Sequence, residues 1–130
     1  MSKRTPPALW GVIFLLVLGV GMVRAGEKVT GEEAETVRST IESYVKRDSN
    51  LKGGFLIYDE KENKVHNLTY DHVHKGVEKT EGGEYFACVD FVDNDKNTYD
   101  LDVYVEQDGE EWDISEIVIH KVNGKDRLKK

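Results

Sequence analysis

The chain has 130 residues, a formal net charge of −7 from 18 basic and 25 acidic side chains, and a single cysteine. This length fits one domain, and so acidic a surface is a poor match for nucleic acid or for an anionic membrane. A single cysteine excludes a disulfide within the chain.

The first 25 residues have the form of a secretory signal peptide. Lys3 and Arg4 make a basic start, an apolar run covers Ala8 to Met22, and the small residue Ala25 precedes Gly26. The apolar run is shorter than the roughly 20 residues that a membrane-spanning helix needs. We therefore expect cleavage after Ala25 and a mature domain of residues 26–130, with an uncleaved amino-terminal anchor as the alternative.

Removal of the signal peptide makes the domain more acidic. Residues 1–25 carry Lys3, Arg4 and Arg24 and no acid, so the formal charge falls from −7 to −10. Cations or basic partners are then electrostatically favoured. A secreted domain without an internal disulfide fits a bacterial periplasm better than a disulfide-rich extracellular setting. We expect a periplasmic or secreted protein that contacts neither nucleic acid nor, after cleavage, a membrane.

The segment after Thr30 predicts an amphipathic helix. Thr30 and Glu33 fit a capping box, in which the two side chains satisfy free N–H groups at the helix start. Gly53-Gly54 ends the pattern, and the helix covers about 17 residues. Its apolar stripe consists of Ala34, Val37, Ile41, Tyr44 and Val45. The stripe needs a sheet to cover it.

Five segments after the helix predict strands. Residues 55–58 form a short apolar run, and a longer strand extends from Val65 to about His74. On one face of this longer strand we expect Leu68, Tyr70, His72 and His74. The last three runs cover residues 85–92, 99–105 and 112–122, and the middle run alternates apolar and polar residues throughout.

The alternation also predicts how the strands pair, because a one-residue shift turns every side chain to the other face. We expect Phe91 opposite Tyr99, Val89 opposite Leu101, and therefore two like charges, Asp90 and Asp100, opposite each other.

Asp108-Gly109 predicts a tight hairpin between the last two runs. Val105 should then face Trp112. The inward apolar pattern changes phase further along, which a β-bulge near Ser115-Glu116 would explain. Beyond that bulge we expect Asp102 opposite Glu116.

These elements predict an α+β domain in which one amino-terminal helix packs across a curved, mostly antiparallel sheet of about five strands. A basic tail from about residue 125 should be frayed. The order of elements resembles the cystatin-like superfold, which is shared with nuclear-transport-factor-like proteins. Within it, residues 85–91, 99–102 and 119–125 (YFACVDF, YDLD and IHKVNGK) are similar to a group of small secreted bacterial proteins of no established activity.

The resemblance implies a fold and leaves the function open, since this superfold includes dehydratases, isomerases, inhibitors and interaction modules. Inhibitory cystatins carry a Gln-x-Val-x-Gly hairpin. No such run occurs in the sequence, which argues against protease inhibition.

Four carboxylates are expected on the face of the sheet that points away from the helix: Asp90, Asp100, Asp102 and Glu116. His120 should lie near them, close to Thr98. Like charges that face each other destabilise a sheet, and carboxylates are preferred ligands of Ca²⁺ and Mg²⁺. The pattern therefore predicts a divalent-cation site, with a solvated acidic surface as the alternative.

His72 and His74 form a second candidate site. At alternate positions of a strand they project from one face about 7 Å apart, where they could share a transition metal with a third ligand. If that face also carries Leu68, the histidines would lie with Tyr44 at the rim of a helix–sheet cavity, where a histidine can act as a general base. The alternative is a pair of ordinary surface or core histidines.

Cys88 should lie on the outward face opposite Asp102. A neighbouring carboxylate disfavours the thiolate, which argues for a packed thiol over a nucleophile. Phe86, Cys88 and Val92 make this part of the face apolar. Such a patch predicts a homodimer that forms through the outward sheet face.

Three functional hypotheses follow. The first is a secreted, non-enzymatic module that binds a partner protein or a small ligand, because the sequence contains no phosphate loop and no cysteine metal cluster. The second is a small hydrolyase- or isomerase-like enzyme with a helix–sheet cavity. The third is a divalent-metal binder that uses the acidic sheet face.

Overall fold

A computed structural model describes residues 26–128, so the predicted signal peptide lies outside the described residues. One helix packs on a curved antiparallel sheet of eight strands. The elements in chain order are β1 (Glu27–Val29), α1 (Gly31–Lys52), β2 (Phe55–Asp59), β3 (Lys64–Val73), β4 (Val77–Lys79), β5 (Tyr85–Val92), β6 (Thr98–Asp108), β7 (Glu111–Val122) and β8 (Lys125–Asp126). The predicted α+β class and the curved antiparallel sheet are confirmed.

The predicted count of about five strands is wrong, because three short strands add to the sheet. β1 and β4 have three residues each and β8 has two, lengths too short to show an alternating pattern. Strand β1 also precedes the helix, so the helix is the second described element and not the first.

Strand β5 lies at the centre of the sheet. It pairs with β6 on one side, while β3 and β4 follow one another along its other side. On the far side of β6, β7 pairs with β6 and β8 pairs with β7. Strand β1 pairs with β4, and β2 pairs with β3. The predicted register of β5 and β6 is confirmed, since Phe91 faces Tyr99 and Asp90 faces Asp100.

The hairpin between β6 and β7 turns one residue later than predicted. Asp108 pairs with Glu111, which leaves Gly109 and Glu110 at the turn, and Gly109 has the positive φ of 65° that such turns require. The expected Val105–Trp112 pair is therefore wrong, and Val105 faces Ile114 instead.

The predicted bulge near Ser115 is confirmed, and a second bulge follows at His120. Because the hairpin turns later, Glu116 faces Tyr104 and Asp102 faces Val118. The predicted Asp102–Glu116 pair is therefore wrong.

The helix is longer than predicted, with 22 residues. Thr30 is the N-cap residue, but its side chain makes no cap hydrogen bond, so the predicted capping box does not form. The Glu33 carboxylate instead accepts a hydrogen bond from the Tyr85 hydroxyl on the sheet. Gly53 ends the helix in the left-handed conformation, with φ of 79°.

Side chains pack the centre of the interface between helix and sheet. Ile41 and Val45 of the helix are fully buried against the sheet, where the rings of Phe55 and Phe91 stack with centroids 5.0 Å apart. Burial of this apolar surface is the main favourable contribution to folding. Open grooves remain at the two edges of this interface, one lined by Tyr44 and Trp112 and the other by Lys46 and Tyr70.

The carboxyl-terminal segment was expected to be frayed from about residue 125, but the described part of it is ordered. Lys125 and Asp126 form β8 against β7, and the Arg127 side chain is 12% exposed because it reaches the carboxylate of Asp59. In the described range, 26–128, no helix is long and apolar enough to cross a bilayer.

Candidate metal centre

The candidate site lies on the face of the sheet that points away from α1, which we call the outer face. Along β5 the buried and partly exposed residues alternate, so one set faces the helix and the other set faces outward. Strand β6 follows the same pattern except at Asp102, which is buried although it faces outward. The outer face includes Phe86, Cys88, Asp90, Asp100, Asp102 and Tyr104, paired as Phe86–Tyr104, Cys88–Asp102 and Asp90–Asp100.

A β-bulge in β3 brings both candidate histidines to this face. Tyr70 faces Phe91 and packs toward the helix, but the next pair is His72 with Asp90, so Asp71 is the extra residue. The bulge reverses the alternation, and His72 leaves the face that carries Leu68. The expected position of the histidines at the rim of a helix–sheet cavity is therefore wrong.

His72, His74 and Asp90 converge on the outer face. The Nε2 atom of His74 lies 2.9 Å from Oδ1 of Asp90, and the Nε2 atom of His72 lies 3.7 Å from Oδ2 of the same carboxylate. The two imidazole rings stack with centroids 5.4 Å apart and an interplanar angle of 17°. Asp90 therefore lies where a third ligand for the histidine pair would be needed.

This group has the composition and spacing of an open metal site. All three donor atoms lie within 4.8 Å of one another. Bonds of about 2.0–2.2 Å to a tetrahedral ion would place them about 3.3–3.6 Å apart, a small adjustment for side chains at the surface. Three protein ligands leave a fourth position for water or another ligand. Asp71 lies 3.5 Å from Nδ1 of His72, where a carboxylate orients a metal-binding imidazole.

The surroundings of the group are strongly negative. Asp71, Asp90 and Asp100 line a groove of about 290 Å³, with Lys121 as its cationic residue. The Oδ1 atom of Asp100 is buried and has no hydrogen-bond partner among the described residues. A buried carboxylate oxygen without a donor is costly, and a cation in the groove would offset that cost.

The other predicted site residues lie in three places. Asp102 and His120 contact each other on the outer face, with Nδ1 of His120 3.2 Å from Oδ1 of Asp102. Glu116 is exposed and lies opposite Tyr104, away from the other carboxylates. Tyr44 lies on the helix side of the sheet, where its ring meets Phe55 edge to face.

Cys88 contacts the Asp102 group, and its position opposite Asp102 was predicted from the strand register. Its Sγ atom lies 3.2 Å from Oδ1 of Asp102. Burial, together with hydrogen bonding to Asp102, raises the pKa of the Cys88 thiol far above its usual range, so the free thiol is protonated. The proximity of Cys88 to His120 was not predicted, because it depends on the second bulge of β7.

A third polar cluster surrounds Asp59, and sequence analysis missed it. Asp59 is 1% exposed and its carboxylate accepts two hydrogen bonds from Arg127, at 3.0 and 3.1 Å. His66 lies 2.8 Å from the same carboxylate, and the hydroxyl of Tyr99 lies 3.3 Å from the other His66 nitrogen. The Arg127 guanidinium holds the pKa of Asp59 well below its usual range. Because Arg127 already supplies the positive charge, this cluster is structural.

Comparison of the chain with protein-family models, with curated proteins and with solved structures finds no match. The function is therefore inferred from the chemistry of the described residues.

Proposed function

We propose that the protein is an exported, non-enzymatic binding module that holds a divalent transition-metal ion on the outer face of its sheet. Its ligands are His72, His74 and Asp90. The observation that supports this proposal is the convergence of two imidazole nitrogens on one carboxylate, at the edge of a groove lined by further aspartates.

The donor set favours a transition metal over Ca²⁺ or Mg²⁺. Imidazole nitrogen is a good ligand for Zn²⁺, Cu²⁺ and Ni²⁺, whereas Ca²⁺ and Mg²⁺ prefer oxygen ligands. His72 and His74 are 55% and 39% exposed, so both imidazole rings are open to an ion from solution. Zn²⁺ fits best, because it accepts two histidines and one carboxylate at an open tetrahedral site.

A binding role is better supported than an enzymatic one. The enzyme hypothesis needs a cavity between helix and sheet with histidines at its mouth. Side chains pack the centre of that space among the described residues. The grooves at its edges are lined by no histidine, and the histidines lie on the opposite face. The metal-centred hypothesis instead unites the histidine pair with one member of the acidic face, Asp90.

The cystatin-like superfold and export of the chain are part of the same proposal. One helix on a curved antiparallel sheet is compatible with that superfold. The basic start, apolar run and Ala25-Gly26 junction favour export to a periplasmic or extracellular space. A metal-loaded outer face would then present its free coordination position to a small ligand or to a protein partner.

The test is thermal melting of the chain from residue 26 onward, with Zn²⁺, Ca²⁺ or Mg²⁺ and with EDTA as the reversal. A ligand at 100 times its Kd adds about 2.7 kcal/mol to the free energy of unfolding, which raises the Tm of a domain of this size by several degrees. We expect Zn²⁺ to produce that shift in the parent and in Glu116→Gln, and a smaller shift in Asp90→Asn.

Glu116→Gln is the matched control, because it also removes one carboxylate from the outer face but lies away from the histidines. Equal Zn²⁺ shifts in Asp90→Asn and the parent would contradict the proposal. A shift with Ca²⁺ or Mg²⁺ and none with Zn²⁺ would point to an oxygen-ligand site on the acidic face.

A further inference from the structure

A second set of donor atoms lies next to the first on the outer face. Cys88 on β5, Asp100 and Asp102 on β6 and His120 on β7 each offer one atom, and all four atoms lie within 4.8 Å of one another. We propose that these four residues form a second, thiolate-containing metal site that binds Zn²⁺. This site shares no residue with the first, so it does not rest on the proposed function.

Part of the group already has the spacing that a tetrahedral ion requires. Bonds of about 2.0–2.3 Å place tetrahedral ligands about 3.3–3.8 Å apart. Oδ1 of Asp102 lies 3.2 Å from both Sγ of Cys88 and Nδ1 of His120. Metal binding therefore needs only small side-chain rotations, chiefly of Asp100.

Without a cation, the buried carboxylates of this group destabilise the folded protein. Asp102 is 4% exposed, and the partners of its Oδ1 atom are a thiol, which is a weak donor, and one imidazole nitrogen. Asp100 adds a second carboxylate with one buried, unpartnered oxygen. Buried charge without a strong partner is destabilising, and a divalent ion at the centre would pair with both carboxylates.

The nearest ordinary cation does not fill this role. Lys121 faces Asp100 across the β6–β7 ladder, but among residues 26–128 no ion pair joins it to Asp100 or Asp102. In contrast, the buried Asp59 has a bidentate arginine. The same fold thus pairs one buried carboxylate with Arg127 and leaves the other with His120 but with no lysine or arginine among the described residues.

The donor types select the ion. One sulfur, one imidazole nitrogen and two carboxylate oxygens suit Zn²⁺, which accepts all three kinds of ligand in tetrahedral geometry. Binding breaks the S–H bond of Cys88 and forms a bond between sulfur and metal, and the displaced proton passes to the buffer. Four protein ligands leave no free position, which is typical of a structural site. The neighbouring site at His72 has three protein ligands and is therefore open.

Cobalt distinguishes the two sites, because Co²⁺ occupies zinc sites and gives a sulfur-to-metal charge-transfer band in the near ultraviolet only when a thiolate binds it. The experiment titrates the chain from residue 26 onward with Co²⁺ and then displaces the Co²⁺ with Zn²⁺. We expect the band in the parent and in Asp90→Asn, and no band in Cys88→Ser. We expect two ions per chain in the parent and one in each variant.

A separate variant tests the role of His120. His120→Asn should weaken Zn²⁺ binding at the thiolate site by more than about 100-fold, since loss of even an outer-shell partner costs about 10–100-fold. Circular dichroism confirms that each variant is folded. Co²⁺ binding without a sulfur band in the folded parent, or unchanged stoichiometry in Cys88→Ser, would overturn the second site. The sulfur band in a parent that binds one ion would support the second site and contradict the His72 site.

Discussion

The Arg127 guanidinium donates two hydrogen bonds to the Asp59 carboxylate, at 3.0 and 3.1 Å, and so joins two residues that are 68 positions apart. Asp59 ends β2, and Arg127 follows β8 directly. The backbone N–H group of Lys61 also donates to this carboxylate. The contact fixes the carboxyl-terminal segment to the β2–β3 hairpin and stabilises both.

Removal of this guanidinium should be strongly destabilising. Arg127→Ala leaves the buried Asp59 carboxylate without its cation, and breaking a buried pair in this way costs about 3–5 kcal/mol of the free energy of unfolding. Urea denaturation measures the loss. Arg47→Ala, which removes an exposed arginine of the helix, is the control and should change the stability by less than about 0.5 kcal/mol. Equal stability of the two variants would show that the contact is dispensable.

Asp59 should also make the protein sensitive to acid. Hydrogen bonds from Arg127 lower its pKa in the folded state below the ordinary value of 3.8. A depressed carboxylate pKa contributes stability that is present above pH 3.8 and is lost as the pH falls toward the folded pKa. The free energy of unfolding should therefore fall below about pH 4. In Arg127→Ala this fall should be smaller, and an equally steep fall would assign it to other carboxylates.

Asp100 should reduce the stability of the metal-free protein, because it faces Asp90 directly across the β5–β6 ladder. In EDTA, Asp100→Asn should raise the free energy of unfolding by about 0.2–1 kcal/mol, the range for one cross-strand pair. The same variant should lose the sulfur band with Co²⁺. Asp95→Asn, in the exposed loop between these strands, should do neither. A destabilised Asp100→Asn would indicate that Lys121 stabilises the Asp100 carboxylate in solution.

The homodimer through the outer face stays a prediction, and the structure identifies the residues to change. Phe86 and Tyr104 stack on this face with ring centroids 5.1 Å apart. We expect light scattering to give twice the monomer mass for the parent and for Val65→Lys, which changes an exposed residue elsewhere in the sheet. Phe86→Lys should give the monomer mass. A monomeric parent would rule out this dimer.

The alternation of residues made the centre of the sheet predictable. In β5 and β6 every inward position is apolar, and one short loop connects the two strands, so only one register buries Phe91 and Leu101 together. The pairing of Asp90 with Asp100 followed from that register. The end of the helix was predictable in the same local way, because Gly53 has a conformation that other residues adopt at a cost.

The parts that sequence analysis missed depend on contacts between distant residues. The bulges at Asp71 and His120 shift the phase of the apolar pattern, since Val73 and Val122 pack against the core. The prediction continued the alternation from Leu68 and so missed them, yet each bulge decides which face a histidine occupies. No periodic pattern in the sequence predicts the pairing of Asp59 with Arg127. The turn at Gly109 was displaced by one residue because glycine is acceptable at either central position of a hairpin turn.

The alternation along β5 separates the residues that pack in the core from the residues that are proposed to bind metal. Odd-numbered positions from 85 to 91 are buried against the helix, and even-numbered positions from 86 to 92 are on the other side. Saturation mutagenesis across this strand should therefore give two interleaved profiles. Cellular abundance should drop at odd positions, and metal retention should drop at Cys88 and Asp90 while abundance is maintained. Selection could then change the ion preference of the protein without any need to rebuild its interior.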